Sequence, residues 1–363
     1  MSTPLPHTPL YAAHRALGAK MVDFAGWEMP LHYGSQIEEH HHVRRDAGMF
    51  DVSHMLVIDV HGSGALAFLR ELLANDVSKL KQPGAALYSC MLNAQGGVRD
   101  DLIVYFLDAD HYRIVVNAGT AETDLAWMQA QRAQTGANCL LQPRRDLGIL
   151  AVQGPRARDI VRGKFPEAHA AADIFPFHAA VSGELLIART GYTGEDGYEI
   201  MLPAQRMEEW WTILVAAGVA PAGLAARDTL RLEAGMNLYG QDMDEHITPL
   251  ECGLSWTVDL RTERDFVGKA VLLAQQPTRQ LTGLLLLDKG VMRAHQRVRT
   301  AHGDGEITSG GYAPTLSRSI AFARLPLAVQ TGEEVEVSVR DRPLRAKVVK
   351  PPFVRHGTSL VAP

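Results

Sequence analysis

The sequence contains little cysteine. Its three cysteines, Cys90, Cys139 and Cys252, are far apart and show no CxxC spacing. An odd and sparse set of this kind argues against a disulfide framework and indicates reduced thiols in a reducing compartment. It also gives no support to a zinc or iron–sulfur site.

Positive charge and long apolar runs are also scarce. Lys and Arg number 36 against 41 Asp and Glu, so the formal net charge is -5. Nucleic-acid binders more often carry a basic excess, so binding driven by phosphate groups is disfavoured. The longest apolar stretches, such as Leu281–Leu287, are far shorter than the ~20 residues of a membrane-spanning helix. Met1–His7 lacks a secretory or transit pattern. We expect a cytoplasmic protein that binds neither nucleic acid nor membrane.

The chain is long enough for two or three domains, since it has 363 residues of which 46% are hydrophobic. Between about residues 52 and 137 the strand and helix signals alternate as β-α-β-β-β-α, which is typical of an α+β domain with an antiparallel sheet. A similar alternation returns over residues 147–218. From residue 279 onward, short β-rich pieces alternate with Gly and Pro turns and predict a small β-barrel or sandwich. We therefore divide the chain into residues 1–278 and 279–363.

The first fifty residues read as an irregular entry followed by one helix. Ser35 can cap this helix, with Glu38 completing a capping box, and Gly48 marks its end. The run His40–His42 invites a metal site, since Glu38 and His42 lie one helical turn apart. No third ligand is identifiable, and a solvated helix face is the alternative.

The segment Gly96–Asp101 places two adjacent carboxylates after a glycine-rich turn and at the start of a strand. Neighbouring side chains of a strand face opposite sides, so only one of Asp100 and Asp101 can face a given pocket. A carboxylate beside such a turn could orient an amine substrate or relay a proton. An Asx-turn or a solvated strand end is the structural alternative.

A second candidate segment, Thr190–Glu199, has three glycines in ten residues. Tyr192 offers a flat surface for stacking, and Glu199 can accept paired N–H donors, so a planar heterocycle with an amino-substituted edge would suit the pair. The loop matches neither GxGxxG nor a Walker A motif, which makes a phosphate site a weak hypothesis. As a bare pattern, the segment is also compatible with a tight hairpin.

The third candidate is the helical segment Gly223–Glu233. Arg227 and Arg231 are four residues apart and share a helix face, while Asp228 and Glu233 can pair with neighbours. Charged residues in an otherwise apolar helix either pair with each other or serve a ligand. An internal salt-bridge network and a ligand site both remain open.

These segments together resemble the aminomethyltransferase (T-protein) family of the glycine cleavage system. The similarity extends over essentially the whole chain in order. The motifs that carry it are Thr8–Tyr11, Met21–Trp27, Gly48–Met55, Leu72–Val77, Gly96–Leu102, Arg189–Glu195, Ala226–Glu233, Tyr239–Met243, Glu306–Gly310 and Pro314–Leu316.

The resemblance implies an α+β fold of three domains arranged as a cloverleaf around a central folate cavity. Two antiparallel-sheet α+β domains would be partly interleaved in sequence, and the third would be a C-terminal β-barrel. It also implies that tetrahydrofolate is a co-substrate, with no metal. The one-carbon unit would come from the aminomethyl-dihydrolipoyl arm of the H-protein, releasing ammonia and forming 5,10-methylenetetrahydrofolate. The H-protein and the other glycine cleavage components would be the partners.

The resemblance further implies roles for individual residues. Asp101, rather than Asp100, matches the catalytic aspartate, which would orient folate, stabilise a transient cation and relay a proton; Asp100 would then face away. Other positions match residues that bind the pterin or line its pocket, namely Glu199, Arg227, Tyr192, Tyr88, Met55 and Asn117.

Two other functions were weighed. Folate-binding accessory proteins for iron–sulfur or tRNA maintenance carry a Lys-Gly-Cys motif, whereas the equivalent stretch here, Ala234–Gln241, has no cysteine. A folate module of a flavin-linked amine demethylase would need a GxGxxG segment, which this chain lacks. The accessory protein is kept as the alternative to the aminomethyltransferase. Arg293, Arg297 and Arg299 are candidates for a basic docking patch, with a solvated loop as the alternative.

Overall fold

The structure, a computed structural model, describes residues 4–340 and 342–362. The α-helices are α1 (Tyr11–Ala16), α2 (Gln36–Arg45), α3 (Ala65–Leu72), α4 (Ala121–Thr135), α5 (Ala157–Lys164), α6 (Met207–Ala216), α7 (Leu224–Glu233) and α8 (Lys269–Ala274). Short 3-10 helices cover Val77–Lys79, Pro166–Ala171, Ala204–Arg206 and Ser255–Thr257. Among the described residues, no helix is both long and apolar enough to cross a membrane.

The strands fall into three larger sheets and two hairpins. In chain order they are β1 (Lys20–Phe24), β2 (Trp27–His32), β3 (Gly48–Asp51), β4 (Leu56–His61), β5 (Ala86–Leu92), β6 (Val98–Asp108), β7 (His111–Val116), β8 (Leu140–Pro143), β9 (Leu147–Gln153), β10 (Ala179–Ser182), β11 (Leu185–Ala188), β12 (Gly197–Pro203), β13 (Ala220–Pro221), β14 (Arg279–Leu286), β15 (Arg297–Thr300), β16 (Gly303–Ala313), β17 (Arg318–Pro326), β18 (Glu334–Val339), β19 (Arg342–Val349), β20 (Val354–Arg355) and β21 (Thr358–Ser359).

The first large sheet is antiparallel and has the order β5-β6-β7-β4-β8. Strands β4 and β7 are buried along almost their whole length, and β6 alternates in burial over its first half. One face of the sheet packs against the apolar sides of α3 and α4. Phe68 of α3 and Met128 of α4, for example, lie in one core with Val104 and Ile114 of the sheet. The opposite face of this sheet is left to meet the second sheet.

The second sheet has the order β10-β11-β12-β9-β3-β13, antiparallel except for the pair β13–β3. Strand β3 precedes the first sheet in sequence and the other strands follow it, so the two α+β units are interleaved as expected. Trp210 of α6 and Val161 of α5 cover its outer face, packing on residues such as Tyr198 and Ile200 of β12.

The inner faces of the two sheets form a shared apolar core. Tyr105 and Val115 of the first sheet lie in one cluster with Ala151, Leu186 and Met201 of the second. The result is four layers, with helices outside and two sheets inside. Any polar side chain on an inner face therefore lies between the sheets, where it needs a partner or a ligand.

The C-terminal unit is a closed barrel with the order β14-β17-β16-β15-β18-β19. Helix α7 packs on its outside, where Leu232 meets Phe322 and Phe353. The α+β class with two interleaved sheets and a C-terminal barrel is thus confirmed. The division after residue 278 remains a prediction, although β14 begins at Arg279.

The first fifty residues differ from the expected irregular entry. They form α1, the hairpin β1–β2 and β3, which pairs in the second sheet. The hairpin turn has positive φ at both Ala25 (53°) and Gly26 (79°), and alanine in that position hides the usual Asn-Gly turn signal. The Ser35 cap is confirmed, since its hydroxyl accepts from the backbone N–H of Glu38 at 3.3 Å.

Candidate active site

Asp100 and Asp101 lie within β6 and face opposite sides of the first sheet. Leu102 and Val104, on the side of Asp100, belong to the core under the helices, whereas Tyr105, on the side of Asp101, belongs to the core between the sheets. Asp100 is completely buried, while Asp101 keeps partial solvent access. Asp101 is therefore the member of the pair that a molecule between the sheets could reach.

Two side chains of the same sheet hold the carboxylate of Asp101. The hydroxyl of Tyr88 on β5 donates to its Oδ2 at 2.7 Å, and the amide Nδ2 of Asn117, just after β7, donates to its Oδ1 at 2.9 Å. These bonds fix the orientation of the carboxylate. Tyr88 in turn stacks on Trp256, with ring centroids 5.7 Å apart and an interplanar angle of 23°.

Burial and the neighbouring carboxyl group of Asp100 raise the pKa of Asp101 to about 7, against the opposing hydrogen bonds of Tyr88 and Asn117. A carboxyl group of this kind can hold or release a proton near neutral pH, which is where general acid–base groups are effective. The candidate function of Asp101 therefore has a physical basis in its surroundings.

Tyr88→Phe removes one hydrogen bond that favours the ionised form of Asp101. We expect the pKa of Asp101 to rise further, by about one unit for a lost bond to a charged acceptor. If the carboxylate is the active form, the acidic limb of the pH profile of kcat/KM moves to higher pH, and activity at pH 7 falls. Ser89→Ala, on the same strand, is the control; an unchanged limb in Tyr88→Phe would contradict this prediction.

The second wall of the site is formed by Tyr192 and Arg227. The guanidinium carbon of Arg227 lies 4.3 Å from the centroid of the Tyr192 ring, a cation–π contact. Within the described residues the guanidinium of Arg227 makes no hydrogen bond or ion pair, and burial lowers its pKa. Its donors are therefore available to a ligand.

Other charges of α7 form the internal network that was the alternative for this helix. Arg231 pairs with Asp228 at 2.7 Å and with Asp242 at 3.0 Å, and Glu233 pairs with Arg44 at 2.9 Å. The helix thus combines a structural network with one unpaired guanidinium.

Glu199 on β12 faces the space between the sheets, because its neighbours Tyr198 and Ile200 face the outer core. The hydroxyl of Thr190 donates to its Oε2 at 2.5 Å, while its Oε1 has no donor among the described residues. Burial raises the pKa of Glu199, and the charge of Arg227 opposes this. Glu199 therefore presents one free oxygen near the unpaired Arg227.

A cavity of about 480 Å³ adjoins this wall. It lies where the β1–β2 hairpin, α7 and the barrel meet, and its lining includes Phe24, Tyr192, Arg227, Arg293 and Tyr312. Asp101 does not line it. Burial raises the pKa of Tyr192, which does line the cavity, and the charge of Asp101 adds to this rise. The residues that line the cavity come mainly from the N-terminal hairpin, the loop before β12, α7 and the barrel, and none belongs to the first sheet.

The predicted residues thus form two groups. Asp101, Tyr88 and Asn117 are joined by hydrogen bonds. Tyr192 and Arg227 are stacked, and Glu199 faces the space between the sheets. Met55 is partly buried and packs against the core between the sheets. It precedes Leu56, which pairs with Val116, so it lies beside Asn117 at the edge of the first sheet.

Sequence reasoning missed several residues at this site. Trp256, 66% exposed, extends the aromatic surface from Tyr88, and no pattern around it singles it out. His54 is buried next to Phe24, and the centroids of the two rings are 5.6 Å apart. Burial and the charge of Arg227 lower the pKa of His54 to about 4, so the imidazole is neutral near pH 7. Asp124, described below, was missed as well.

The run His40–His42, for which the sequence suggested a metal site, has a different structural role at His40. His40 is buried, with Nδ1 2.8 Å from the hydroxyl of Thr229 and Nε2 3.2 Å from Glu233. The solvated helix face expected for this run is therefore wrong for His40, which belongs to the network that joins α2 to α7.

A different group, Asp59, His61 and His111, brings its possible ligand atoms within 4.8 Å of one another. Both oxygens of Asp59 accept from Arg113, at 2.7 and 2.9 Å, and one also accepts from Arg144. The group is accounted for as an ion-pair network. It lies beside a cavity of about 830 Å³ at the end of β6 opposite Asp101.

The site thus combines a carboxylate whose pKa is about 7 with an aromatic–guanidinium pair that borders a cavity. Such a combination is typical of enzymes that bind a flat ligand with polar edges. Comparison with known proteins specifies the family. Residues 10–262 match the GCVT N-terminal domain, and residues 279–355 match the glycine cleavage T-protein C-terminal barrel domain. The chain belongs to the glycine cleavage T-protein family of aminomethyltransferases.

Individual relatives are similar to this chain over nearly its full length. An aminomethyltransferase of Nitrosomonas eutropha is 60% identical, covering 98% of this chain and 100% of the relative. An aminomethyltransferase of Ralstonia pickettii is 60% identical, covering 99% and 100%. The crystal structure of the glycine cleavage system aminomethyltransferase T from Bartonella henselae superposes with a TM-score of 0.90 at 35% identity, covering 97% of this chain and 99% of that one.

Proposed function

We propose that the protein transfers the one-carbon unit of an aminomethyl group from the dihydrolipoyl arm of an H-protein to tetrahydrofolate, releasing ammonia and forming 5,10-methylenetetrahydrofolate. The observation that carries this proposal is that Asp101 and Glu199 both face the space between the two sheets, while Arg227 stacks on Tyr192 beside a cavity. We infer that this region holds both a carboxylate able to exchange a proton and a site for a flat, amino-substituted ring. Folate combines such a ring with nitrogens that accept a one-carbon unit.

The wall opposite Asp101 suits the pterin. The free Oε1 of Glu199 can accept from the ring amino group and its neighbouring N–H, as carboxylates do with paired donors. The unpaired guanidinium of Arg227 can donate to ring acceptors while it remains stacked on Tyr192. These contacts would direct the bridging nitrogens of folate towards Asp101.

Asp101 would act as a carboxylate. As the bond from carbon to the departing ammonia breaks, positive charge develops on the one-carbon unit, and a fixed negative charge nearby stabilises it. Tyr88 and Asn117 hold that charge in place before the reaction, which avoids reorganisation at the moment of transfer. With a pKa of about 7, Asp101 could also take a proton from the attacking nitrogen.

The partner is proposed to be a lipoylated H-protein, working with the other glycine cleavage components, because the chain belongs to the glycine cleavage T-protein family. The exposed Arg293 lines the cavity and could meet an acidic partner. Arg297 and Arg299 lie in strand β15 rather than in a loop, and Arg297 already pairs with Asp304. A cytoplasmic location and the absence of a bound metal stay predictions from the sequence.

The test is to mix the protein with tetrahydrofolate and aminomethyl-lipoyl H-protein and to measure ammonia and methylenetetrahydrofolate. Equal amounts of both products would support the proposal. If folate binds but neither product forms, the proposal is wrong and the non-catalytic folate-binding accessory protein is preferred. Omitting the H-protein gives the blank rate.

Arg227→Met should weaken folate binding. It removes hydrogen bonds from a charged donor but keeps most of the volume against Tyr192, so we expect the Kd for tetrahydrofolate to rise by about 10- to 100-fold. Isothermal titration calorimetry measures this directly. The control is Arg299→Met on the exposed barrel surface. Equal affinities in the two variants would remove Arg227 from the binding site.

A further inference from the structure

Asp124, in the first turn of α4, is completely buried. Among the described residues, neither of its carboxyl oxygens meets an N–H or O–H donor in hydrogen-bond geometry. Asp124 lies one helical turn before Met128, which packs on Leu102 and Val104, on the same side of the first sheet as Asp100. The carboxyl groups of Asp124 and Asp100 are therefore on facing surfaces, and each raises or lowers the pKa of the other. An unpartnered buried carboxylate would be costly, so this group needs a proton or a role.

Asp100 receives donors from one residue, Asn117. The backbone N–H of Asn117 donates to Oδ2 of Asp100 at 3.0 Å, and its amide Nδ2 donates to Oδ1 at 2.8 Å. The same Nδ2 also lies 2.9 Å from Oδ1 and 3.1 Å from the backbone carbonyl oxygen of Asp101. An amide nitrogen has two protons for these three acceptors, so the bond to Asp100 takes one proton and directs the other towards Asp101.

We propose that Asp124 is a positioning residue of the aminomethyl transfer: it shares one proton with Asp100, and the pair holds the Asn117 amide in the orientation that binds the catalytic carboxylate. This inference rests on the proposed function. The order of contacts is Asp124, Asp100, Asn117, Asp101, and it runs from the helix layer through the first sheet to the space between the sheets.

Two carboxyl groups in contact in a buried site cannot both be ionised, so the pair keeps one proton at neutral pH. Burial is the largest cause, and it raises the pKa of both Asp100 and Asp124. Other titratable or charged groups also face this cluster. They are Asp101 and Arg99 on β6, Tyr88 and Cys90 on β5, Tyr192 in the loop before β12, and Tyr239, Glu245 and Cys252 after α7.

The test compares Asp124→Asn with Asp124→Leu, whose side chains have the same number and branching of non-hydrogen atoms, with leucine the bulkier of the two. Asparagine can donate a hydrogen bond to Asp100, whereas leucine fills the space without one. We expect kcat of Asp124→Asn to stay within about threefold of the original, and kcat of Asp124→Leu to fall by about tenfold or more, with the KM for tetrahydrofolate nearly unchanged in both. Equal kcat values in the two variants would show that only packing matters and would overturn the proposal.

Two further measurements separate positioning from structure. In Asp124→Asn, Asp100 keeps its full negative charge beside Asp101, so the acidic limb of the pH profile of kcat should move to higher pH. Infrared spectra of the original protein minus those of Asp124→Asn, taken at about pH 9 where Asp101 is ionised, should show the carbonyl band of the acid shared by Asp100 and Asp124, a readout that needs no activity. If the acidic limb does not move and Asp124→Asn keeps the carbonyl band, Asp100 and Asp124 do not share a proton. If the original protein shows no transfer, the proposed function fails, while the infrared result still tests the proton.

Discussion

Asp101→Asn is expected to lower kcat by about 10²- to 10³-fold, the usual effect of removing a group that stabilises charge in the transition state. The amide keeps the shape and can still bond to Tyr88, but it carries no negative charge and takes no proton. Because Asp101 does not line the wall that we assign to the pterin, the Kd for tetrahydrofolate should change by only a few-fold. Single-turnover ammonia release and calorimetric folate binding measure the two effects separately.

The control for this loss is the stability of the variant. Burial raises the pKa of Asp101 to about 7, so the ionised carboxylate destabilises the folded state at higher pH, and the neutral amide removes that cost. The melting temperature at pH 8 should therefore stay the same or rise. Asp108→Asn, at the exposed end of the same strand, should leave kcat unchanged. Near-normal turnover by Asp101→Asn would end the catalytic assignment.

Much of the fold was predictable because its periodic segments are unambiguous. The order β-α-β-β-β-α predicted between about residues 52 and 137 is found as β4, α3, β5, β6, β7 and α4, since the local periodicity and the glycine that ends α4, Gly136, agree with the final packing. The hairpin β1–β2 was missed because its turn uses Ala25 in a left-handed conformation. Strand β3 is only four residues long and gains its partners from residues a hundred positions away, which local patterns do not show.

The site was predictable in a different way. Strand alternation showed that only one of Asp100 and Asp101 faces a pocket, and the family resemblance selected Asp101. Asp124 could not be found in this manner, because an acidic residue in the first helical turn is an ordinary dipole partner. Only the packing of α4 on the first sheet reveals that its carboxyl group is buried against Asp100. Asp124 differs from an ordinary surface charge only in being buried by residues that are distant in sequence, and no local pattern shows this.

A large loss of stability is expected from a change in the buried network that joins α2, α7 and the barrel. Glu233, completely buried, accepts from Arg44 at 2.9 Å, from the hydroxyl of Thr315 at 2.7 Å and from its N–H at 2.9 Å, and it lies 3.2 Å from His40. Glu233→Ala removes one of the two buried counter-charges of Arg44, the other being Glu195 at 2.8 Å, and leaves the donors of Thr315 and His40 without their acceptor. Removing one partner of a buried ion pair costs about 3–5 kcal/mol, so the free energy of unfolding should fall by that amount.

The pH dependence of the network gives a second, independent measure. Burial opposes ionisation of Glu233, but the hydrogen bond and charge of His40 and the charge of Arg44 outweigh it, so the pKa is lowered. The stabilisation is therefore present above the unfolded-state pKa and is lost as the pH falls through the folded-state pKa. Urea unfolding at pH 7 and at pH 4 should show the cost of Glu233→Ala shrinking in acid. Asp304→Ala, which removes an exposed partner of Arg297, should cost under about 1 kcal/mol; an equal cost in the two variants would mean that the buried network contributes no more than a surface pair.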